Sequence, residues 1–215
     1  MIRTEHPSRS AGANLTRHRH VGAFFRTPEE KYRILLPYMR EGIERGEKAF
    51  YVVDPQLRYE HLKRLQSGGI DTAAEEEDSQ LEVRSWPDAY LRDGHFDQTS
   101  MLALIEEIFR AGQARDYRLT RLVAQMEWAL EDVPGVNDLV EYETRLNFIL
   151  PKYKDALICT YDYARFGAGV LMDIMRIHPS LLIGGVLQEN PFFVPPGRFL
   201  QELRERGANR SRLAS

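Results

Sequence analysis

The stretch Ala156-Leu-Ile-Cys-Thr-Tyr-Asp162 reads as a buried strand that ends on an aromatic and an acid. Downstream, His178-Pro179 opens a second apolar run, Leu181-Leu-Ile-Gly-Gly-Val-Leu187, leading to Asn190-Pro191-Phe192-Phe193. A strand, a helix over about 166–176 and a strand over 181–187 make a parallel βαβ unit. Ligands of such sheets sit where the strands end.

The same alternation extends upstream. His20-Val-Gly-Ala-Phe-Phe25 suits a buried strand, and Thr27-Pro28-Glu29-Glu30 is a capping box with proline at the first helical position. The helix it starts places Tyr32, Leu35, Leu36, Met39 and Ile43 on one face, and Pro37 is expected to kink it. Lys48-Ala-Phe-Tyr-Val-Val53 is a second strand, followed by a helix to about Leu65 that stops at Gly68-Gly69. Glu75-Glu-Glu-Asp78 reads as a solvated acidic loop, and Leu81–Trp86 as a third strand. A helix over 97–114, a strand from Leu119 to Met126 and a helix near 138–150 come next; Leu139, Tyr142, Leu146 and Ile149 face inward from the last. A final helix is expected from Pro196 to Arg206. The fold class is therefore α/β, a three-layer, mostly parallel sheet with helices on both faces. One domain over 18–206 is expected, with 1–17 a disordered arm and 207–215 a disordered tail.

Composition narrows the function classes. The 215 residues are 43% hydrophobic and 28% charged, and the net charge is −3. Such a balance gives no general attraction to nucleic acid or an anionic membrane, so neither is an expected partner. Basic residues gather at both ends, Arg3, Arg9, Arg17 and Arg19, then Arg204, Arg206, Arg210 and Arg212, as frayed, solvated termini do. Cys159 is the sole cysteine, which excludes an intrachain disulfide and a cysteine-based metal cluster. No run reaches the roughly 18 apolar residues of a membrane span, and the start carries no signal-peptide core. The expected compartment is the cytoplasm.

A phosphate loop is missing. Its place after the first strand holds Arg26-Thr-Pro-Glu-Glu-Lys31, acidic and without glycine. Gly42-Ile-Glu-Arg-Gly46-Glu-Lys48 precedes a strand instead of following one, and Gly167-Ala-Gly169 lacks the third glycine of a dinucleotide fingerprint. No Ser/His/Asp set, metalloprotease or kinase signature is present, and catalysis has no positive support.

The candidate binding residues lie at strand ends. Asp162 either anchors a ligand or caps the following helix, and Tyr161 lies beside it. Glu127 and Trp128 occupy the matching place after the fourth strand: polar anchor and flat wall, or solvated acid and core indole. His20 and His178 each open a strand. If those strands are neighbours the imidazoles meet at the amino edge, either braced structurally or touching ligand, and no third metal donor is evident beside them. About five residues of strand, roughly 15 Å, separate that edge from Phe25. Cys159 reads as an inert buried thiol.

In this order, His20-Val-Gly-Ala-Phe-Phe-Arg-Thr-Pro-Glu-Glu30, Glu41–Asp54, Gln125-Met-Glu-Trp128, Tyr142-Glu143, Ile158–Asp162, His178-Pro179 and Asn190-Pro-Phe-Phe193 resemble the MEDS domain. This is the methanogen and methylotroph sensory domain of dichloromethane-repressor type, and the resemblance covers about 18–205. It implies a degenerate relative of the clock-protein and recombinase ATPase fold that has lost the phosphate loop. It also implies a non-catalytic sensor of small molecules such as hydrocarbon derivatives, found with DNA-binding or histidine-kinase output modules and acting in transcription regulation. The chain departs from the family pattern at Gly22, where a cysteine often stands two residues after the first histidine. The roughly 17 residues before the first strand are expected to be too few for a helix-turn-helix.

The expected function is a sensory domain that binds a small, largely apolar ligand and signals through a protein partner or a homodimer. Its ligand contacts are His20, Phe24, Glu127, Trp128, Tyr161, Asp162, His178 and Asn190; no metal and no named cofactor are assigned. The helix after Asp162, loosened by Gly167 and Gly169, is the expected mobile element. The alternatives are a ligand-free interaction module docking through Asn190–Pro196, and residual nucleotide binding.

Overall fold

Apolar β-branched and aromatic runs form the strands, and those of the sheet's middle are buried on both faces, as a covered parallel sheet requires. The computed structural model describes residues 19–92 and 94–213. The expected arm over 1–17, with Arg3, Arg9 and Arg17, lies outside them, as do the last two residues. In chain order the elements are β1 (His20–Phe25), α1 (Pro28–Glu44), β2 (Lys48–Val53), α2 (Arg58–Ser67), α3 (Thr72–Glu77) and β3 (Leu81–Ser85). Then come α4 (Trp86–Ala89), α5 (Gln98–Ala114), β4 (Thr120–Gln125), α6 (Leu139–Ile149), β5 (Ala156–Asp162) and α7 (Ala168–Ile177). A hairpin of β6 (Ser180–Ile183) and β7 (Val186–Glu189) precedes the last helix, α8 (Pro196–Leu213).

The sheet order is β3-β2-β4-β5-β1-β6-β7, parallel except for the β6–β7 pair. One core layer, with Val21, Ala23, Phe25, Tyr51, Val123 and Ile158, packs under α1 and α2. The opposite layer holds Phe24, Leu122, Cys159, Tyr161 and Leu181 together with residues of α5, α6, α7 and α8. The three-layer α/β expectation is thus observed. Because β1 pairs with both β5 and β6, residues of 20–24, 157–161 and 178–183 share one neighbourhood.

Several local expectations change. The run 181–187 is two strands, because Gly184 and Gly185 both adopt positive φ (58° and 80°) and turn the chain back as a tight hairpin. The acidic stretch at 75–78 is mostly helix: Asp71 accepts from Ala74 N and caps α3. Helix α1 is assigned without interruption through Pro37, with Thr27 capping it as the box predicts. The last helix does not stop at Arg206 but runs to Leu213.

Candidate functional site

Along β1 the side chains of His20 and Phe24 point to the α6 side of the sheet, with Gly22 between them on the same face, two residues apart as the pleat dictates. Cys159 stands directly across the ladder from Gly22, and Tyr161 across from Phe24. A Cβ on Gly22 would lie 2.9 Å from Cγ of His178, so the absent side chain is the space in which that imidazole sits. Cys159 thus places a thiol on the neighbouring strand, directly across from position 22.

Helix α6 completes the cluster. Its stripe Leu139, Tyr142, Leu146 also contains Glu143, which is fully buried. Glu143 Oε2 lies 3.1 Å from His20 Nε2 and 3.3 Å from His178 Nε2, and Cys159 Sγ lies 3.9 Å from His20 Nε2. The two imidazole centroids are 4.2 Å apart. The sequence reading found no third donor beside the histidines; the fold brings two, Glu143 and Cys159. The signal for Glu143 was legible as a carboxylate on the apolar face of an amphipathic helix.

The outer nitrogens fix the tautomers. His178 Nδ1 lies 2.7 Å from the carbonyl of Ile174, which can only accept, so Nδ1 carries the proton. Asn147 donates its amide to the carbonyls of Ile177 (2.8 Å), Glu143 and Thr144, which turns its Oδ1 to His20 Nδ1 at 2.9 Å. Both imidazoles thus spend Nδ1–H outward and aim Nε2 at one carboxylate oxygen. That arrangement calls for positive charge between them.

Electrostatics of the cluster follow from burial. Burial pushes the Glu143 carboxyl up, whereas hydrogen bonds and positive charge from His178 and then His20 bring it down to about 2 when those imidazoles carry an inward proton. Burial, then the charge of His178, lowers His20. Burial, then Glu143, pushes the Cys159 thiol and the Tyr161 phenol well up. Glu143 Oε1, His178 Nε2, Tyr142 Oη and Tyr161 Oη are buried without a hydrogen-bond partner.

The other sequence candidates separate into distinct places. Trp128 is fully buried in the aromatic core: it stacks on Tyr90 at 4.8 Å and meets Phe96 at 4.5 Å. Glu127 does not share its surroundings but lines a small cleft of about 40 Å³ at the carboxyl edge with Lys31, Thr27 and Asp162. There burial raises the Glu127 carboxyl against the charge of Lys31, and burial lowers the Lys31 amine against Glu127. Asp162 accepts from Ala164 N at 2.9 Å, an Asx turn rather than a cap on α7, whose N-cap is Gly167. Asn190 ties chain to chain, donating to the carbonyls of Met175 (2.6 Å) and His178 (2.8 Å) and accepting from Phe192 N.

Phe24 links the interior to the surface. Its ring stacks on Tyr161 at 5.6 Å, and Tyr161 meets His178 edge-on at 6.0 Å. On its other side Phe24 lines a half-open hollow of about 290 Å³ with Tyr163, Leu171, Met172, Met175 and Ile183. All six walls are predominantly apolar side chains. The sequence reading missed this groove because its walls come from β1, the turn after β5, α7 and β6.

Three comparisons bear on this architecture. The sequence profile of the methanogen/methylotroph, DcmR sensory domain, MEDS, matches residues 19–179. The transcriptional repressor DcmR of Methylorubrum extorquens is 27% identical over 169 residues. That match takes in 78% of this chain, which spans 61% of the repressor's length. A KaiC-like protein from the hyperthermophilic archaeon Pyrococcus horikoshii superposes with a TM-score of 0.54 at 19% identity, over 75% of this chain and 68% of that one. This last likeness concerns the fold alone. Among the described residues no helix is long and apolar enough to cross a membrane.

Proposed function

The chain belongs to the MEDS family of sensory domains, and on that premise we propose that it binds a small, largely apolar molecule without transforming it. The site is the groove floored by Phe24, and occupancy is passed to a protein partner or a second copy. The observation that carries this reading is the hollow of about 290 Å³ at the carboxyl edge of β1 and β6, walled by Phe24, Tyr163, Leu171, Met172, Met175 and Ile183. Ligand pockets of roughly 300 Å³ and above are the common class, and sheets of this type bind at that edge. Met172 and Met175 are unbranched and polarizable, so they adapt to ligands of varied outline.

A route for the signal runs through α7, which supplies three of the walls. Its Asp173 pairs with Arg206 at 2.7 Å and its Arg176 with Glu202 at 2.8 Å, both on α8. A ligand that repacks Leu171, Met172 and Met175 therefore acts on the element coupled to the last helix. The shift is only as large as the difference in affinity between the two arrangements. The regulatory setting we propose is that of the related repressor, with this domain as its input.

Residual nucleotide binding is disfavoured at the start of α1. Thr27 Oγ1 accepts from Glu30 N, and Glu30 Oε2 accepts from Arg26 N at 2.9 Å. The cleft beside that turn is lined by the acids Glu127 and Asp162 against the single amine of Lys31, where phosphates would need donors.

The reading is tested by native mass spectrometry and calorimetric titration with short alcohols, haloalkanes and small aromatics. Saturable one-to-one binding lost in Met172→Glu is expected. Failure of the whole panel to bind would sink the groove, and binding unaffected by Met172→Glu would place the ligand elsewhere.

A further inference from the structure

We propose that His20, Glu143, Cys159 and His178 form a buried binding site for one divalent transition-metal ion of the zinc class. Their four donor atoms lie within 4.8 Å of one another and all four residues are buried. Zinc bonds of about 2.0–2.3 Å set the donors of a tetrahedral site roughly 3.3–3.8 Å apart. The observed separations of 3.1, 3.3 and 3.9 Å bracket that range. An ion at the centre needs only small side-chain adjustments.

Proximity alone would not carry this; the orientation of the imidazoles does. Nδ1 of His178 is committed to the Ile174 carbonyl, and Nδ1 of His20 to Asn147 Oδ1. Metal-bound histidines characteristically hold their outer nitrogen in this way, which fixes the tautomer and turns the other lone pair inward. Here both lone pairs converge on the carboxylate of Glu143, an acceptor facing two acceptors. A cation among them turns three mutually repelling groups into ligands. The sulfur of Cys159 closes the fourth position, on the strand adjoining His20.

Charge balance supports the same assignment. On binding, the thiol releases its proton to solvent, and thiolate plus carboxylate neutralise a divalent ion, leaving an uncharged buried centre. Two imidazoles, a thiolate and a carboxylate suit zinc or cobalt(II), whereas magnesium and calcium prefer oxygen alone. The bound ion would join β1, β5, α6 and the end of α7 at a single point. Metal uptake and apolar-ligand binding are measured separately, so failure of one proposal is distinguishable from failure of the other.

The test uses the full chain without a histidine tag, stripped with a chelator, checked by circular dichroism and titrated with Co²⁺. The expected result is one equivalent per chain, tetrahedral ligand-field bands, a thiolate-to-cobalt absorption and displacement by Zn²⁺. Cys159→Ser should abolish the thiolate absorption. Asn147→Leu, which removes the partner of the outer nitrogen of His20 and the amide bond to the Ile177 carbonyl but leaves all four donors in place, should weaken affinity about 10–100-fold at unchanged stoichiometry. A stripped, folded protein that takes up neither Co²⁺ nor Zn²⁺ overturns the proposal. So does a cobalt spectrum that Cys159→Ser leaves unaltered. In either case the inward charge is a shared proton, and nitrogen NMR would show Nε2–H on an imidazole.

Discussion

Asn147 holds Nδ1 of His20 at 2.9 Å through its amide oxygen, and thereby sets which nitrogen of that imidazole faces Glu143. Without a metal, Glu143 Oε2 stands before two lone pairs. Replacing it by an amide gives those lone pairs two N–H donors at nearly the same position. Glu143→Gln in the stripped protein is therefore expected to match or exceed the parent in stability, while Glu143→Leu costs about 2–4 kcal/mol. Urea unfolding measures both. If Gln proves as damaging as Leu, the imidazoles are donors and the tautomers are the reverse of those described.

Gly22 sets the position of the His178 ring from the other side. A Cβ there would lie 2.9 Å from His178 Cγ and 3.1 Å from Nδ1. Gly22→Ala is expected to lose about 1–3 kcal/mol by overpacking and to disturb the bond to the Ile174 carbonyl. Chemical shifts of the His178 ring report the second effect separately from stability. An unshifted ring would mean that the strand, not the imidazole, yields.

Most of the sheet was legible because its strands are local runs. Lys48–Val53 and Ala156–Asp162 are continuous apolar stretches, and Thr27-Pro28 marks a helix start through two adjacent residues. The hairpin at Gly184-Gly185 was also written in the sequence, as paired glycines inside a strand-like run, but apolar content outweighed it. At the site, His20 was legible as a strand opener, whereas His178 caps the end of α7 two residues before β6 begins; their neighbour relation needed β1 between β5 and β6, which is a topological fact. Glu143 was visible on the α6 stripe yet lies more than a hundred residues from His20 in the chain. Glu127 and Trp128 show the converse: adjacent in sequence, they turn to a surface cleft and to the aromatic core.

On the opposite face of the sheet a second buried ion pair invites measurement. Arg121 Nε lies 2.5 Å from Glu47 Oε2, its guanidinium also donates to the Tyr38 carbonyl, and it stacks 4.2 Å from the Tyr38 ring centroid. Both partners are nearly inaccessible to water. Glu47→Leu leaves the buried guanidinium with only the partly exposed Glu41 carboxylate, 4.0 Å away, and is expected to cost about 3 kcal/mol. The double variant Glu47→Leu with Arg121→Met should recover much of that loss. Equal damage in single and double variants would show that packing against Tyr38, not charge, dominates.

His61 makes stability depend on pH in a way that can be isolated. Burial, with the charges of Lys31 and Arg58, holds its folded-state value down to about 3 from an ordinary 6.5. Tyr32 Oη lies 2.6 Å from Nδ1 and the ring packs edge-on against Tyr51 at 4.4 Å. Above pH 6.5 the ring is neutral in both folded and unfolded chains and no dependence arises. As pH falls below 6.5 the unfolded chain takes up a proton that the folded one refuses, so stability falls, continuing until about pH 3. The slope is about 1.4 kcal/mol per pH unit. Between pH 6.5 and 5 most carboxylates stay ionised, and His20, also lowered by burial, contributes equally to parent and variant. The unfolding free energy of the parent relative to His61→Leu, measured by urea titration across that window, should therefore fall by roughly 2 kcal/mol toward pH 5. A difference that stays constant would mean that His61 is protonated in the folded chain.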